Sequence, residues 1–232
     1  MITLSAVLAV SGTLALGRWQ LSRAAQKVAL QASIDAKAVM PKLNGATLAM
    51  LTDPAIELHR GVTLRGRWIG ERTVFLDNRP MNGKPGLYVL TPLQLEGRAA
   101  VVLLQRGWVA RNFIDRASVP RIDTATGVVE VQGRIAPPPG KLYELGGTES
   151  GLIRQNLDLA QFRAELGLPL LTVSVQQIGA TGDGLLRDWP RPDTGIDKHY
   201  GYAVQWFALS ALIALLYVWF QIVRRFITAR CS

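Results

Sequence analysis

Two histidines, His59 and His199, and one cysteine, Cys231, are the imidazole and thiol side chains of this 232-residue chain. A single thiol makes no internal disulfide and no CxxC or CxxxC metal or redox site. Copper delivery needs paired cysteine or methionine ligands, which are missing. No HExxH motif occurs, and two histidines are too few for a His-based triad with one to spare. Asp115, Asp123 and Glu130 show no spacing that enforces a shared site. Thr181-Gly182-Asp183-Gly184 reads as a turn, because no strand-loop-helix surrounds it as a phosphate cradle requires. His59 starts a strand pattern and reads as an ordinary half-exposed residue. His199 differs, because it stands just before the longest uncharged run in the chain. An imidazole there is placed to bond lipid headgroups or the domain that precedes it.

That run holds no charged side chain from Ala203 to Val223. Its length suits an α-helix crossing the hydrocarbon core at ~1.5 Å rise per residue. Arg224, Arg225 and Arg230 close it, and Trp206, Tyr217 and Trp219 lie toward its two ends, as interfacial aromatics do. A second apolar stretch, Ile2 to Gly17, ends at Arg18, Trp19 and Leu21. It lacks the basic n-region and small-residue cleavage site of a signal peptide, so it reads as a first span. Leu21, Ala25, Val28 and Ala32 then continue a helical period until Pro41, Asn44 and Gly45 break it. The expected organisation is a transmembrane helix over 1–20, a juxtamembrane helix and linker over 21–41, and a β-rich extracytoplasmic domain over 42–197. A second transmembrane helix follows over 198–223, then a basic tail over 224–232. Short basic flanks stay cytoplasmic, which places both termini there and the middle outside; Arg18 and Arg23 oppose that orientation.

From His59 the pattern turns to alternation and β-branched residues. HRGVTLRGRWI, RTVFLDN, LYVLTPLQL, AVVLLQRGWV, GVVEVQGRI and LLTVSVQQI read as strands. Turn signals separate them, and Asp158 to Leu166 reads as a helix with Asp158 as N-cap and Gly167 beyond its end. The expected fold is membrane-anchored α+β: two transmembrane helices flanking an antiparallel β-barrel or sandwich-like domain. Arg106-Gly107-Trp108 sets an arginine and a tryptophan on one strand face, as a stacking pair or a docking surface. Arg79 and Arg106 are the candidates for partner contact. Gln205 lies inside the second span, where an amide needs a partner, and Trp19 and Gln20 of the first span are the candidates to supply it. The net charge of +9 is spread along the chain without interleaved stacking aromatics. It fits anionic lipid and solvated surface, and nucleic acid is not an expected partner.

Four stretches together resemble the surfeit locus protein family, membrane proteins that assist assembly of cytochrome c oxidase. They are LGRWQLSR (16–23), DNRPMNGKPGLYVLTPL (77–93), QRGWVAR (105–111) and HYGYAVQWF (199–207). Tyr200 departs from the leucine common in the family. The resemblance implies two spans, an outward-facing domain in a bacterial inner membrane, and no catalytic activity. It implies a role in maturing a haem-copper oxidase catalytic subunit, with that subunit, haem A synthase and membrane lipid as partners. In some bacterial members it also implies transient binding of haem a by the histidine before the second span, which is His199 here. Neutral imidazole is a common axial ligand of haem iron. On a continuing helix His199, Tyr202 or Ala203, Trp206 and Ser210 share a face. Lys198, Arg18 and Arg23 are the cations available to propionates. The alternative is a cofactor-free scaffold that stabilises another multispan complex. An enzyme of haem modification would be expected to use more buried ligands than His199 alone.

Overall fold

The computed structural model describes residues 1–115, 118–140, 142, 151–179, 182–190 and 195–224. Arg225, Arg230 and Cys231 of the expected tail, and Thr181 of the expected turn, lie outside them. The chain divides into two compact units, Met1–Ser33 with Pro192–Ser232, and Ile34–Arg191.

The first unit is built from helix α1 (Ile2–Ala38), whose last turn belongs to the second unit, and helix α4 (Ile196–Val218), which continues as a π-helical turn over Trp219–Val223. Both are long and apolar enough to cross a membrane, and the apolar windows of both are largely unburied by protein. The length of α1, about 55 Å at 1.5 Å per residue, exceeds a hydrocarbon core of about 30 Å. Its polar second half, from Leu21, therefore continues the apolar first half without a break. The helix stops ahead of Pro41, as the pattern predicts.

The second unit opens with β1 (Leu43–Asn44) and helix α2 (Gly45–Met50), capped by the Asn44 side chain on Thr47 N. A 3₁₀ turn over Pro54–Glu57 precedes β2 (Gly61–Trp68), and β3 (Val74–Leu76) follows. The hairpin β4 (Gly86–Leu95) and β5 (Val101–Ala110) comes next, then β6 (Val128–Ala136) and the short β7 (Ile153–Arg154). Helix α3 (Leu159–Leu166) and β8 (Leu170–Gln177) complete it. Asp158 accepts from the backbone N–H groups of Ala160 and Gln161, and Gly167 ends α3 in the left-handed region, both as expected.

Among the described residues eight strands form one sheet in the order β1-β2-β6-β8-β5-β4-β3-β7. β2 also pairs with β4, so the pairings β2-β6-β8-β5-β4 return to β2. Gly66 permits that return, since a Cβ there would stand 2.2 Å from the Gln94 carbonyl oxygen. The sheet is mixed rather than antiparallel, because β1–β2, β3–β7 and β5–β8 are parallel. The physical reason lies in the connections. A parallel pair needs a crossover, and the chain between β5 and β8 runs through β6 and α3 before it returns.

Alternation explains the core. Val62, Leu64, Leu93, Leu95, Val102, Leu104, Val131, Ile135, Val173 and Val175 form one buried cluster from β2, β4, β5, β6 and β8. Val101 and Leu103 of β5 join Val74, Leu76, Leu90, Leu157, Phe162 and Leu170 in a second. β5 is thus buried on both faces, which is why its sequence is a continuous apolar run.

Candidate functional site

In the first unit the side chains that α1 turns inward recur at alternating spacings of three and four. Thr13, Gly17, Gln20 and Ala24 are buried. On α4 Ala203 and Ser210 are buried, and His199, Trp206, Phe207 and Tyr217 are half-buried. Such spacing is that of two helices packed side by side along a narrow seam. The contacts fix the direction as antiparallel. His199 meets Gln20, Phe207 meets Gly17, the Ser210 hydroxyl donates to the Val10 carbonyl at 3.4 Å, and the Tyr217 hydroxyl to Thr3 Oγ1 at 3.0 Å. Gly17 is required by the closeness of approach, since its Cβ would stand 2.7 Å from the Phe207 ring.

The polar contact of this seam that involves an imidazole is His199 Nδ1 to Gln20 Oε1, 2.7 Å. An amide oxygen only accepts, so in this arrangement Nδ1–H is the donor, and the Nδ1–H tautomer has its lone pair on Nε2. A fixed tautomer with the second nitrogen free is how ligating histidines are commonly held. Gln20 is 9% exposed.

Of the other residues read from the sequence, Ala203 rather than Tyr202 shares the inward face with His199 and Ser210, because Tyr202 is 53% exposed. Trp206 is half-buried. Lys198 and Arg18 are exposed and adjoin the contact in sequence, as the residue before His199 and the second before Gln20. Arg23 lies over the Trp19 ring at 5.9 Å and bonds Gln26. Gln20 pairs with His199 and not with Gln205, which is exposed on α4 away from the seam. The three-four spacing Thr13-Gly17-Gln20-Ala24 was the signal that turns Gln20 inward.

Arg79 and Arg106 sit in the second unit, and both are buried. Arg106 lies where the β4–β5 register shifts, opposite the Val89/Leu90 step. Its guanidinium stacks on Trp68 at 4.7 Å, not on Trp108. The bulge is the reason, because an extra residue breaks the simple i, i+2 facing. Arg106 also donates to Thr124 Oγ1 (2.8 Å) and the Asp123 carbonyl (2.9 Å), and pairs with Asp183 at 3.5 Å. Asp183 accepts from Arg187 at 2.7 Å as well, so one carboxylate serves two buried guanidinium groups. Burial pulls Arg106 below the usual arginine value, and Asp183 opposes that shift. The sequence gives no sign of this role for Asp183, because Arg187, four residues on, lies in the same turn-rich loop and Arg106 lies far back along the chain.

Arg79 donates to the Gln155 carbonyl at 2.9 Å, and its own carbonyl accepts from Trp108 Nε1 at 2.7 Å. Asn78 and Asn82 take positive φ values of 57° and 51°, which turn this segment. The half-exposed His59 also has positive φ, 73°, and burial beside Arg134 holds its imidazole below the usual histidine value. Among the described residues no group of three or more His, Cys, Asp or Glu side chains could hold a metal ion.

The four stretches that carry the resemblance therefore meet in pairs. 16–23 joins 199–207 through Gln20–His199 and Gly17–Phe207 in the first unit. 77–93 joins 105–111 through Trp108–Arg79 and the Asp77–Arg111 ion pair in the second. Fold and contacts define a class: a β-domain protein with an apolar helix toward each end of the chain and a histidine–amide contact between those helices. The SURF1 family model matches residues 7–211, and the chain belongs to that family. A SURF1-like protein of Drosophila melanogaster is 27% identical over 238 residues, which cover 92% of this chain and 75% of that protein. A SURF1-like protein of Rickettsia conorii is 26% identical over 215 residues, 88% of this chain and 85% of that one. The cytochrome oxidase assembly protein SHY1 of Saccharomyces cerevisiae is 30% identical over 102 residues, 43% of this chain and 25% of that protein.

Proposed function

We propose that this chain is a two-span membrane assembly factor for a cytochrome (haem-copper) oxidase. In this reading α1 and α4 cross a bacterial inner membrane, both termini are cytoplasmic, and the 42–197 domain is a small closed barrel on the other side. The returning circuit of five strands supports the barrel. The family match and the name of the yeast relative support the oxidase role. The partners are the oxidase catalytic subunit and haem A synthase, and the chemistry is binding and release without turnover.

The Gln20–His199 bond carries the more specific part of the reading, that the helix pair holds haem a in passing. The residues fit such a group. Gln20 fixes the Nδ1–H tautomer, which leaves Nε2 to ligate iron. Trp206 supplies an aromatic wall, and the exposed Lys198 and Arg18 supply cations for propionates. Bound there, the haem would be cargo for the oxidase. The same bond also supports a second reading. The Gln20–His199 bond joins the two helices by itself, which suits a cofactor-free scaffold.

One spectrum separates the two. Protein purified in detergent from cells that make haem a should show a stoichiometric haem signal in a reduced-minus-oxidised spectrum. His199→Ala should abolish it, and Gln20→Ala should weaken binding by roughly 10–100-fold, the usual cost of losing the group that orients a ligating histidine. No signal in the parent protein at good yield would overturn the haem reading in favour of the scaffold. A signal indifferent to His199→Ala would move the haem elsewhere.

A further inference from the structure

Beyond β5 the chain turns at Asn112, and there Phe113 is 72% exposed and Ile114 100% exposed. Two adjacent large apolar side chains held largely in solvent are costly to a domain that has an apolar core available. They are not loose. The Asn112 side chain accepts from the backbone N–H of Ile114 at 2.9 Å and of Asp115 at 3.2 Å, which locks the turn that presents them. Exposed basic groups flank the tip: Arg121 follows Ile114 by seven residues along the chain, and the Arg111 backbone N–H donates to the Pro85 carbonyl, next to Lys84.

We infer that the Phe113–Ile114 tip is a membrane-surface contact, inserting its two apolar side chains among lipid headgroups while Lys84 and Arg121 meet anionic lipid. A narrow tip of two side chains with a basic rim matches a lipid interface, whereas a protein partner would be met by a broader patch or groove. The inference rests on the proposal that α1 and α4 span a membrane, and it adds a third attachment, through the β-domain.

A fluorescent probe sensitive to polarity tests it on the full chain. Single cysteines replace Ile114, Ala99 and Leu215 in turn, with Cys231→Ser as background. Each labelled protein is reconstituted in phosphatidylcholine–phosphatidylglycerol vesicles, with and without brominated acyl chains. Ile114 and Ala99 are exposed and Leu215 is 68% exposed, so the labels need displace no core. Ala99 lies in the turn at the other end of the β4–β5 hairpin, about 30 Å away along the strands. The probes at Leu215 and Ile114 should emit in the blue and lose most of their intensity to brominated lipid, while the probe at Ala99 stays water-like. A water-like probe at Ile114 beside a quenched one at Leu215 overturns the inference and leaves the membrane spans standing. If Leu215 also stays unquenched, the membrane reading itself fails. If the Ile114 probe is shielded only in native membranes and not in lipid vesicles, the tip meets a protein and the lipid assignment is wrong.

Discussion

Asp183 shows how much can depend on one carboxylate. Arg106 and Arg187 both turn their guanidinium groups onto it, at side-chain exposures of 4% and 6%, while Asp183 itself is 17% exposed. Losing one member of a buried ion pair costs about 3–5 kcal/mol, because the remaining charge stays desolvated. Asp183→Ala should therefore destabilise the β-domain by about 3 kcal/mol or more, read as a lower melting temperature in detergent. Adding Arg187→Met, which removes one of the two stranded charges, should recover part of that loss. A single variant within ~0.5 kcal/mol of the parent would mean that this pair behaves as an ordinary surface contact. His199 was legible at this scale, as the histidine beside the longest uncharged run. Its partner was not, because the sequence offers Gln20 as a partner for Gln205, whereas the structure turns it onto His199. Only the register of two packed helices decides between them.

At the scale of elements, most of the architecture follows from periodicity. The six longer strands match, to within a residue or two at either end, stretches that alternation or a β-branched apolar run announces, and α3 has both its cap and its terminating glycine in the sequence. β1 and β7, of two residues each, carry no period that could be read, and they exist only because a neighbouring strand completes them. The helix seam offers the sharper test. Gly17 admits the Phe207 ring where any Cβ would overlap it. Gly17→Leu should force the helices apart at a cost of about 1–3 kcal/mol, the usual range for overpacking. Crosslinking between cysteines placed at Val10 and Ser210 should then fall, and Phe207→Ala should restore it by giving the space back. Equal crosslinking in Gly17→Leu would show that the seam does not depend on this close contact.

At the scale of the molecule, topology was the least legible feature. The sequence suggests antiparallel pairing because its strands are short and turn-rich, yet three of the pairings are parallel. Pairing partners are set by long-range packing, which local pattern does not encode. Charge is also a whole-molecule property, and it bears on orientation. In the proposed orientation Arg224 and the basic residues after it would hold their flank on the cytoplasmic side, whereas Arg18 and Arg23 would pull the other way on α1. Arg23 lies over Trp19 and bonds Gln26, and long helices let such side chains reach the interface from within. The C-terminal flank should therefore prevail. In intact spheroplasts an impermeant maleimide should label a cysteine at Ala99 in a Cys231→Ser background, and should reach the native Cys231 only after the membrane is opened. The reverse pattern would put the β-domain in the cytoplasm. The haem-receiving side of the proposed helix pair would then have to be redrawn, since His199 lies at the domain end of α4 and turns over with it.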